Sequence, residues 1–266
     1  MEALIGFVGN IVRHYRMIYV MARHEFVARF AGTLGGSLWA IFHPLVTVIV
    51  FWFVFSVGLK VQDPSGMPFV LYFVSGLVPW LIFSEILTAS ANGVTANAHL
   101  VKKVNFPTEV LPLVYIIAAC FSHAVFLALT FLLLFVYGFG LSLHVFLLLY
   151  YFFALVIFAL GISWLVSALN VFHRDIGQGL TIILNLWFWL TPIAWPTDMV
   201  PAAYRWMILL NPVGYVVDGY RKALFYQHVG WLDISSGLYY WLMVGFIFLL
   251  GATVFRRLKP DFADVL

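Results

Sequence analysis

Charge is scarce in this sequence. Only 9% of its residues are charged and 64% are hydrophobic, whereas soluble domains carry about 25% charged residues. The mean hydropathy is +1.02. These values exclude a soluble domain and a disordered chain, and they indicate a protein dissolved in lipid. The net charge of +3 is too small to indicate a nucleic-acid partner.

The sequence also lacks the residues of a catalytic or metal centre. Its single cysteine, Cys120, lies in an apolar run, so it forms no intrachain disulfide and is expected to be a packing residue. No GxxxxGK[ST] pattern occurs, so the chain does not hold ATP phosphates in a P-loop. The eight histidines form no pair at ligand spacing on one span. We predict no catalytic residue, metal site or cofactor in this chain.

Long uncharged runs make up most of the sequence. A transmembrane helix needs about 20 apolar residues, and the runs between polar breaks predict an all-α integral membrane protein with six spans. The predicted spans are about 38–59, 69–92, 109–137, 144–169, 177–195 and 234–255. The chain is read as one domain, 1–266, with an interface helix and bend (1–37), spans one to five (38–195), short extracytoplasmic helices at or dipping into the interface (196–233), span six and a tail (256–266).

The first 30 residues predict an amphipathic helix with basic residues beside an apolar stripe. The stripe comprises Ile11, Tyr15, Ile18, Ala22, Phe26 and Phe30, and the basic residues include Arg13, Arg16, Arg23 and Arg29. Such a helix lies in the membrane surface and does not span it. The alternative is an ordinary helix packed on a soluble domain, but no soluble domain follows.

The distribution of positive charge predicts the orientation. With the N-terminus inside, ten of the 14 Lys and Arg residues fall on the inner side and four on the outer side. The inner residues are Arg13, Arg16, Arg23, Arg29, Lys102, Lys103, Arg174, Arg256, Arg257 and Lys259, and the outer residues are Lys60, Arg205, Arg221 and Lys222. Both termini are therefore expected in the cytoplasm, which agrees with an even number of spans.

The stretch 97–112, NAHLVKKVNFPTEVLP, is the polar break in the middle of the apolar chain. A segment this polar does not cross hydrocarbon, so it lies in water or at an interface. Lys102 and Lys103 could dock in an acidic cleft of a partner protein, and the alternative is simple anchoring by positive charge on the inner side.

Glu85 is the one formal charge well inside a predicted span. A carboxylate near a helix centre costs roughly 2.5–3.5 kcal/mol on insertion scales, so it should face protein or a watery cavity. We expect it to snorkel or to bond the neighbouring Ser84 or Thr88, rather than to serve transport. Pairing with His43 in the first span is a further alternative.

Aromatic residues crowd the end of the fifth predicted span and the start of the sixth. The residues that could contact a substrate are Trp187, Trp189, Trp195, Tyr239 and Tyr240. Trp195 and Tyr239 fit an aromatic belt at the lipid headgroups, whereas Trp187 and Trp189 lie about two turns deeper. Because flat aromatic faces pack against the C–H faces of sugar rings, a carbohydrate path is the alternative to the belt.

Six stretches resemble, in order, the patterns of ABC-2 type permeases. They are ARFAGTLGGSLWAIFHPL (28–45), FVSGLVPWLIF (73–83), NAHLVKKVNFPTEVLPL (97–113), NVFHRDIGQ (170–178), TPIAWP (191–196) and LLNPVGYVVDGYRKALF (209–225). Each motif is modest, but six in sequence over nearly the whole chain are a strong resemblance. The chain departs from the family at His43, where other residue types are common, so no function is attached to it.

Within the family, these details look most like exporters of O-antigen, capsular polysaccharide or teichoic acid. The resemblance implies a homodimer bound to two copies of a P-loop ATPase, which holds ATP and Mg, in the bacterial inner membrane. It implies that the residues coupling the chain to the ATPase are His99, Leu100, Lys102, Lys103, Asn105, Phe106, Pro107, Arg174 and Asp175. It places gate helices at about 201–210 and 212–226, with Arg205, Asn211, Pro212, Tyr220 and Arg221 as gate residues.

The resemblance therefore predicts ATP-driven export of a lipid-linked polysaccharide, O-antigen before capsular polysaccharide or teichoic acid. One alternative is a small-molecule or drug exporter of the same architecture. The alternative from another class is a membrane enzyme acting on lipid-linked sugars. It would need paired acids at one membrane face, and 198–218 is the only candidate segment.

Overall fold

The computed structural model describes residues 13–58, 60, 68–102, 106–225 and 234–266, and every regular element in these ranges is helical. Short 3-10 turns link several of the α-helices. The α-helices are α1 (Tyr15–Ala28), α2 (Trp39–Trp52), α3 (Phe69–Ala91), α4 (Gly93–Ala96), α5 (Ala98–Val101), α6 (Leu111–Val136), α7 (Leu147–Phe172), α8 (Asp175–Leu190), α9 (Arg205–Leu209), α10 (Pro212–Leu224), α11 (Ile234–Leu258) and α12 (Phe262–Val265).

Five helical segments of the described chain are long and apolar enough to cross a membrane. They are Trp39–Gly58, Phe69–Ala91, Thr108–Val136, Leu143–Phe172 and Ser235–Val265. Five of the six predicted spans therefore coincide with such helices. At the fifth predicted span, α8 has only 16 helical residues, or roughly 24 Å of helix, so a sixth span stays a prediction.

The central helix of the bundle is α3, which is buried along most of its length, whereas α2 is exposed along almost all of its length. The helices α7 and α11 approach each other closely at two glycines. A Cβ at Gly251 would overlap the carbonyl oxygen of Gly161, and a Cβ at Gly161 would lie 2.8 Å from the Cα of Phe248. Small residues that let two backbones approach this closely are typical of helix pairs in membranes.

The helix α10 lies inside the bundle and packs against α3 and α7. Gly219 admits the ring of Tyr151, and a Cβ at Gly76 on α3 would lie 2.8 Å from Nη2 of Arg221. The sequence predicts short helices at or dipping into the interface for 196–233. Within that range, α9 is largely exposed and α10 is almost wholly buried among the long helices.

The amphipathic helix α1 packs on the first turns of α6. Ile18 and Ala22 are buried in a small apolar cluster with Val110, Val114 and Ala118. Tyr15, which belongs to the predicted apolar stripe, does not pack in this cluster and is 61% exposed. The packed face uses only the later part of the stripe, and Ile11 lies outside the described residues.

Candidate functional site

One end of the bundle, here the Arg174 end, carries the residues predicted to couple the chain to an ATPase. His99 and Leu100 lie on α5, and Lys102 ends that helix with its side chain exposed. Phe106 is half-buried and Pro107 is buried. The other two coupling residues predicted in this stretch, Lys103 and Asn105, lie outside the described residues.

Asn170 joins three helices at the Arg174 end. Its Nδ2 donates to the carbonyl of Ala91 (2.9 Å) and to Oδ1 of Asn92 (3.2 Å), and its Oδ1 accepts from the backbone N–H of Gly177 (2.7 Å). The last turns of α3 and α7 and the start of α8 are thereby held together. Asn170 belongs to a stretch that resembles the family, but its bridging role was not predicted.

A polar cavity of about 610 Å³ opens beside this bridge. Its walls include Thr95 on α4 and the exposed Arg174 at the start of α8. Asp175 follows as the first residue of α8 and is also exposed. The structure therefore brings the polar break that begins near Asn97 and the Arg174 turn to the same end, as their proposed roles require.

Glu109 and Lys259 form an ion pair that sequence reasoning missed. The carboxylate of Glu109 is buried and accepts from Nζ of Lys259 at 2.5 Å. The residues after Lys259 continue into α12, where Phe262 is fully buried and contacts the rings of Phe172 and Phe255. The available signal was a single acid within the polar break, and its partner is 150 residues away.

We expect Glu109→Gln to lower the free energy of unfolding by about 1 kcal/mol, because a charge-assisted hydrogen bond is replaced by a neutral one. The Lys259 ammonium group contributes little to this loss of stability, because its side chain is 34% exposed and can be solvated by water instead. The measurement is unfolding of the purified chain in mixed micelles. Asp261→Asn, which neutralises an exposed acid in the next turn, is the matched control, and an equal loss in both variants would contradict the role of the pair.

Glu85 pairs with Arg29, the residue that ends α1. The Arg29 guanidinium donates to Oε1 of Glu85, and the hydroxyl of Ser122 on α6 lies 3.3 Å from the same oxygen. The prediction that Glu85 bonds Ser84 or Thr88 is therefore wrong. Those two hydroxyls donate instead to backbone carbonyls of their own helix, as is common for hydroxyl side chains in helices.

The Arg29–Glu85 pair lines a cavity of about 420 Å³ together with His43 of α2. The Glu85 carboxylate on α3 therefore contacts both Arg29 at the end of α1 and Ser122 on α6. His43 brings α2 to the same cavity. Of the other three predicted interface-helix arginines, Arg13 and Arg23 are exposed, and Arg16 lies beside the Tyr15 ring.

At the opposite end of the bundle, here the Asn211 end, Asn211 connects α8 with α10. Its Oδ1 accepts from Nε1 of Trp187 (2.9 Å) and from the backbone N–H groups of Val213 (3.1 Å) and Gly214 (3.3 Å), and its Nδ2 donates to the Thr191 hydroxyl (2.9 Å). Asn211 is therefore the N-cap of α10, and its side chain also joins α10 to α8 through hydrogen bonds.

The predicted gate residues divide into exposed and buried members. Arg205 is exposed at the start of α9, whereas Pro212 opens α10 in a buried position. Tyr220 is fully buried and its hydroxyl lies 3.2 Å from Nε2 of His123. Arg221 is buried on the Tyr72 ring, 3.6 Å from its centroid, and donates to the carbonyl of Ile193 (3.1 Å).

Two cavities adjoin at the Asn211 end. Trp187, Trp189 and Trp195, three of the predicted path residues, line one of about 430 Å³. Tyr239 and Tyr240, the other two, line one of about 440 Å³. Ile208, Asn211 and Pro212 belong to the walls of both.

The predicted path aromatics differ in exposure. Trp189 is 58% exposed, and its carbonyl accepts from Nε1 of Trp195 (3.1 Å). Tyr240 is fully buried and stacks on Tyr215, with ring centroids 4.7 Å apart. Trp189 is therefore accessible from outside the chain, whereas Tyr240 packs among its neighbours.

Among the described residues, no group of three or more His, Cys, Asp and Glu side chains is placed to hold a metal ion. The long apolar helices, with polar clusters at both ends, define a multi-pass membrane protein. Within that class, the chain belongs to the ABC-2 type transporters, whose family model matches residues 16–225.

Curated relatives extend the similarity over almost the whole chain. An O-antigen export system permease protein RfbA of Klebsiella pneumoniae is 31% identical over 265 residues, covering 97% of both chains. The O-antigen export system permease protein RfbA of Myxococcus xanthus is 27% identical over 264 residues, covering 98% of this chain and 99% of the relative. The polysialic acid transport protein KpsM of Escherichia coli is 26% identical over 238 residues, covering 87% and 89%.

Proposed function

We propose that this chain is the membrane subunit of an ATP-driven exporter that moves a lipid-linked polysaccharide, foremost an O-antigen, across the bacterial inner membrane. In this proposal two copies of the chain, each with six spans and both termini in the cytoplasm, bind two copies of a separate P-loop ATPase. ATP and Mg bind only to that partner. The observation that carries the proposal is the similarity to O-antigen permeases at up to 31% identity over 97% of both chains.

The geometry of the Arg174 end supports contact with such an ATPase. Lys102 and Arg174 are exposed there and can meet an acidic surface. The ion pair of Glu109 with Lys259 joins the start of α6 to the end of α11, and the bridge of Asn170 joins α3, α7 and α8. Closure of the ATPase around ATP would push on α4 and α5, and these ties would pass the movement into the bundle.

The other end offers features that suit a sugar chain. A long flexible polymer does not fit a single closed cavity, so a continuous channel between two copies of this chain is the better arrangement. The exposed face of α8 includes Trp189, and the aromatic cavity beside it includes Trp195. We propose that these rings contact sugar rings as the chain passes.

Capsular polysaccharide is the second candidate substrate, favoured by the similarity to a polysialic acid transport protein. Teichoic acid and small molecules or drugs remain further candidates within the family. A membrane enzyme acting on lipid-linked sugars is the candidate from another class. Its required pair of acids has little support, because Asp218 is paired with Lys222 at 2.8 Å.

The first test is purification from native membranes in mild detergent, followed by mass spectrometry of what accompanies the chain. We expect a stoichiometric P-loop ATPase, and accumulation of a lipid-linked glycan in cells that lack the chain. Reproducible absence of an ATPase would refute the exporter and favour the membrane enzyme. Accumulation of a small molecule in place of a glycan would favour the drug exporter.

The coupling role predicts a specific defect for Phe106→Ala and for Pro107→Ala. The complex should still assemble and hydrolyse ATP, while export per ATP falls about tenfold, because the push on the polar break no longer reaches the bundle. Phe106 packs on both apolar clusters, so its loss loosens this contact. Phe146→Ala, at an exposed phenylalanine of the Asn211 end, is the control.

ATP hydrolysis and export should be measured in the same proteoliposomes. A parallel fall of both activities, loss of assembly alone, or unchanged coupling in both variants would each count against this role.

A further inference from the structure

The cavity of about 440 Å³ at the Asn211 end lies among α7, α9, α10 and α11. Cavities of this size bind small ligands in proteins, where typical volumes are about 300–1,000 Å³. It holds one or two sugar rings but not a polymer. A ligand here would therefore be one unit of a longer molecule or a small molecule.

The walls of the cavity present tyrosines to its interior. Tyr215 is half-buried and Tyr239 is 37% exposed, so both offer ring surface. Their hydroxyls bond Tyr150 (3.2 Å) and the carbonyl of Leu210 (3.2 Å), which fixes the two rings. Fixed aromatic rings with polar edges suit the C–H faces and hydroxyls of a sugar.

The charged residues of the walls favour an anion. Among the residues that the structure describes, three cations line the cavity, Arg205, Arg221 and Lys222, against the one carboxylate of Asp218. Asp218 and Lys222 neutralise each other across 2.8 Å. Arg205 and Arg221 then give the cavity walls an excess of positive charge. Such an excess attracts an anionic ligand.

One further polar group lies in the wall. The hydroxyl of Tyr240 is buried and has no hydrogen-bond partner among the residues that the structure describes. Buried hydroxyls are nearly always hydrogen-bonded in folded proteins, and leaving one without a partner is unfavourable. A hydroxyl of a bound sugar is one group that could satisfy it.

We propose that this cavity is a saccharide subsite that binds a single sugar unit carrying a carboxylate, with Arg205 at the carboxylate and Tyr215 and Tyr239 at the ring. This inference rests on the proposed function and narrows its substrate class to an acidic glycan. Its occupant is a unit of the exported chain rather than a lipid headgroup, because fixed aromatic rings match a sugar better than a bare phosphate.

Calorimetric titration of the purified full chain in detergent tests the subsite without any ATPase or transport. The probes are trigalacturonate, the neutral maltotriose of equal length, and glycerol 3-phosphate as a headgroup analogue. We expect trigalacturonate to bind at least tenfold more tightly than either of the other two. Arg205→Gln should weaken it at least fivefold, while the variant keeps the elution volume of the parent chain.

Arg257→Gln is the matched control, since Arg257 is an exposed arginine at the far end of α11, and its affinity should be unchanged. Tightest binding of glycerol 3-phosphate would overturn the subsite in favour of a headgroup site, and equal binding of maltotriose would remove the acidic specificity. No binding of any probe, or equal weakening in the control, would also overturn it. The titration uses no ATPase, so it is independent of the copurification test. If trigalacturonate binds but no ATPase copurifies from native membranes, the exporter is refuted and the subsite stands. If an ATPase copurifies but no probe binds, the subsite is refuted and the exporter stands.

Discussion

Asn211→Ala is expected to lower the free energy of unfolding by about 3 kcal/mol. Loss of an N-cap costs about 1 kcal/mol, and the change also removes the acceptor of the Trp187 indole N–H, whereas the Thr191 hydroxyl still donates to the Trp187 carbonyl. A buried polar group left unsatisfied costs about 1–3 kcal/mol. Since Asn211 is 8% exposed, water does not readily replace it.

Asn211→Asp separates these contributions. Its carboxylate still accepts from Trp187 and from the first N–H groups of α10, where a negative charge is favourable, and only the donation to Thr191 is lost. We expect it to cost about 1 kcal/mol, measured by unfolding in mixed micelles. Two results would show that Asn211 does not join α8 to α10 as described above. One is an alanine variant whose free energy of unfolding lies within about 0.5 kcal/mol of the parent. The other is an aspartate variant that loses as much stability as the alanine variant.

Arg29→Met is the second change with a large expected effect, a loss of about 2–3 kcal/mol. It leaves Glu85 with Ser122 as its one remaining described hydrogen-bond partner, inside a helix where an unpaired carboxylate costs roughly 2.5–3.5 kcal/mol. Side chains of both partners are about a quarter exposed, which keeps the cost below that of a fully buried pair.

A double-mutant cycle tests the pair directly. Glu85→Gln should restore part of the stability lost in Arg29→Met, because the uncompensated charge is gone. Arg23→Met, at an exposed arginine of the same helix, should cost less than about 0.5 kcal/mol. Additive losses in the double variant would mean that the two side chains do not interact.

The sequence predicts the long helices well because their signal is local. Each is a predominantly apolar run of about 20 residues or more with few or no charges, and polar segments lie between these runs. The prediction for α8 is less complete, since its apolar run reaches 195 but the helix ends at Leu190. Thr191 and Pro192 follow, and proline disfavours the helical conformation of the residue before it.

The polar contacts were not predictable in the same way. Glu85 meets Arg29 across 56 residues, and Glu109 meets Lys259 across 150. Periodicity within one helix carries no information about partners on other helices. For Glu85, the sequence therefore suggests only its neighbours Ser84 and Thr88 as hydrogen-bond partners. Likewise, the charges on α10 indicate an interfacial helix, whereas Arg221 is buried because the Tyr72 ring and two backbone carbonyls receive it.

The glycine contact between α7 and α11 has a consequence for how the molecule can move. With the backbones of Gly161 and Gly251 in contact, neither helix can slide past the other without a steric collision. These two helices, together with α3 and α10 packed beside them, therefore form a rigid unit. We therefore expect movement during transport to occur mainly in α2 and α8, which have few buried residues, relative to this rigid unit.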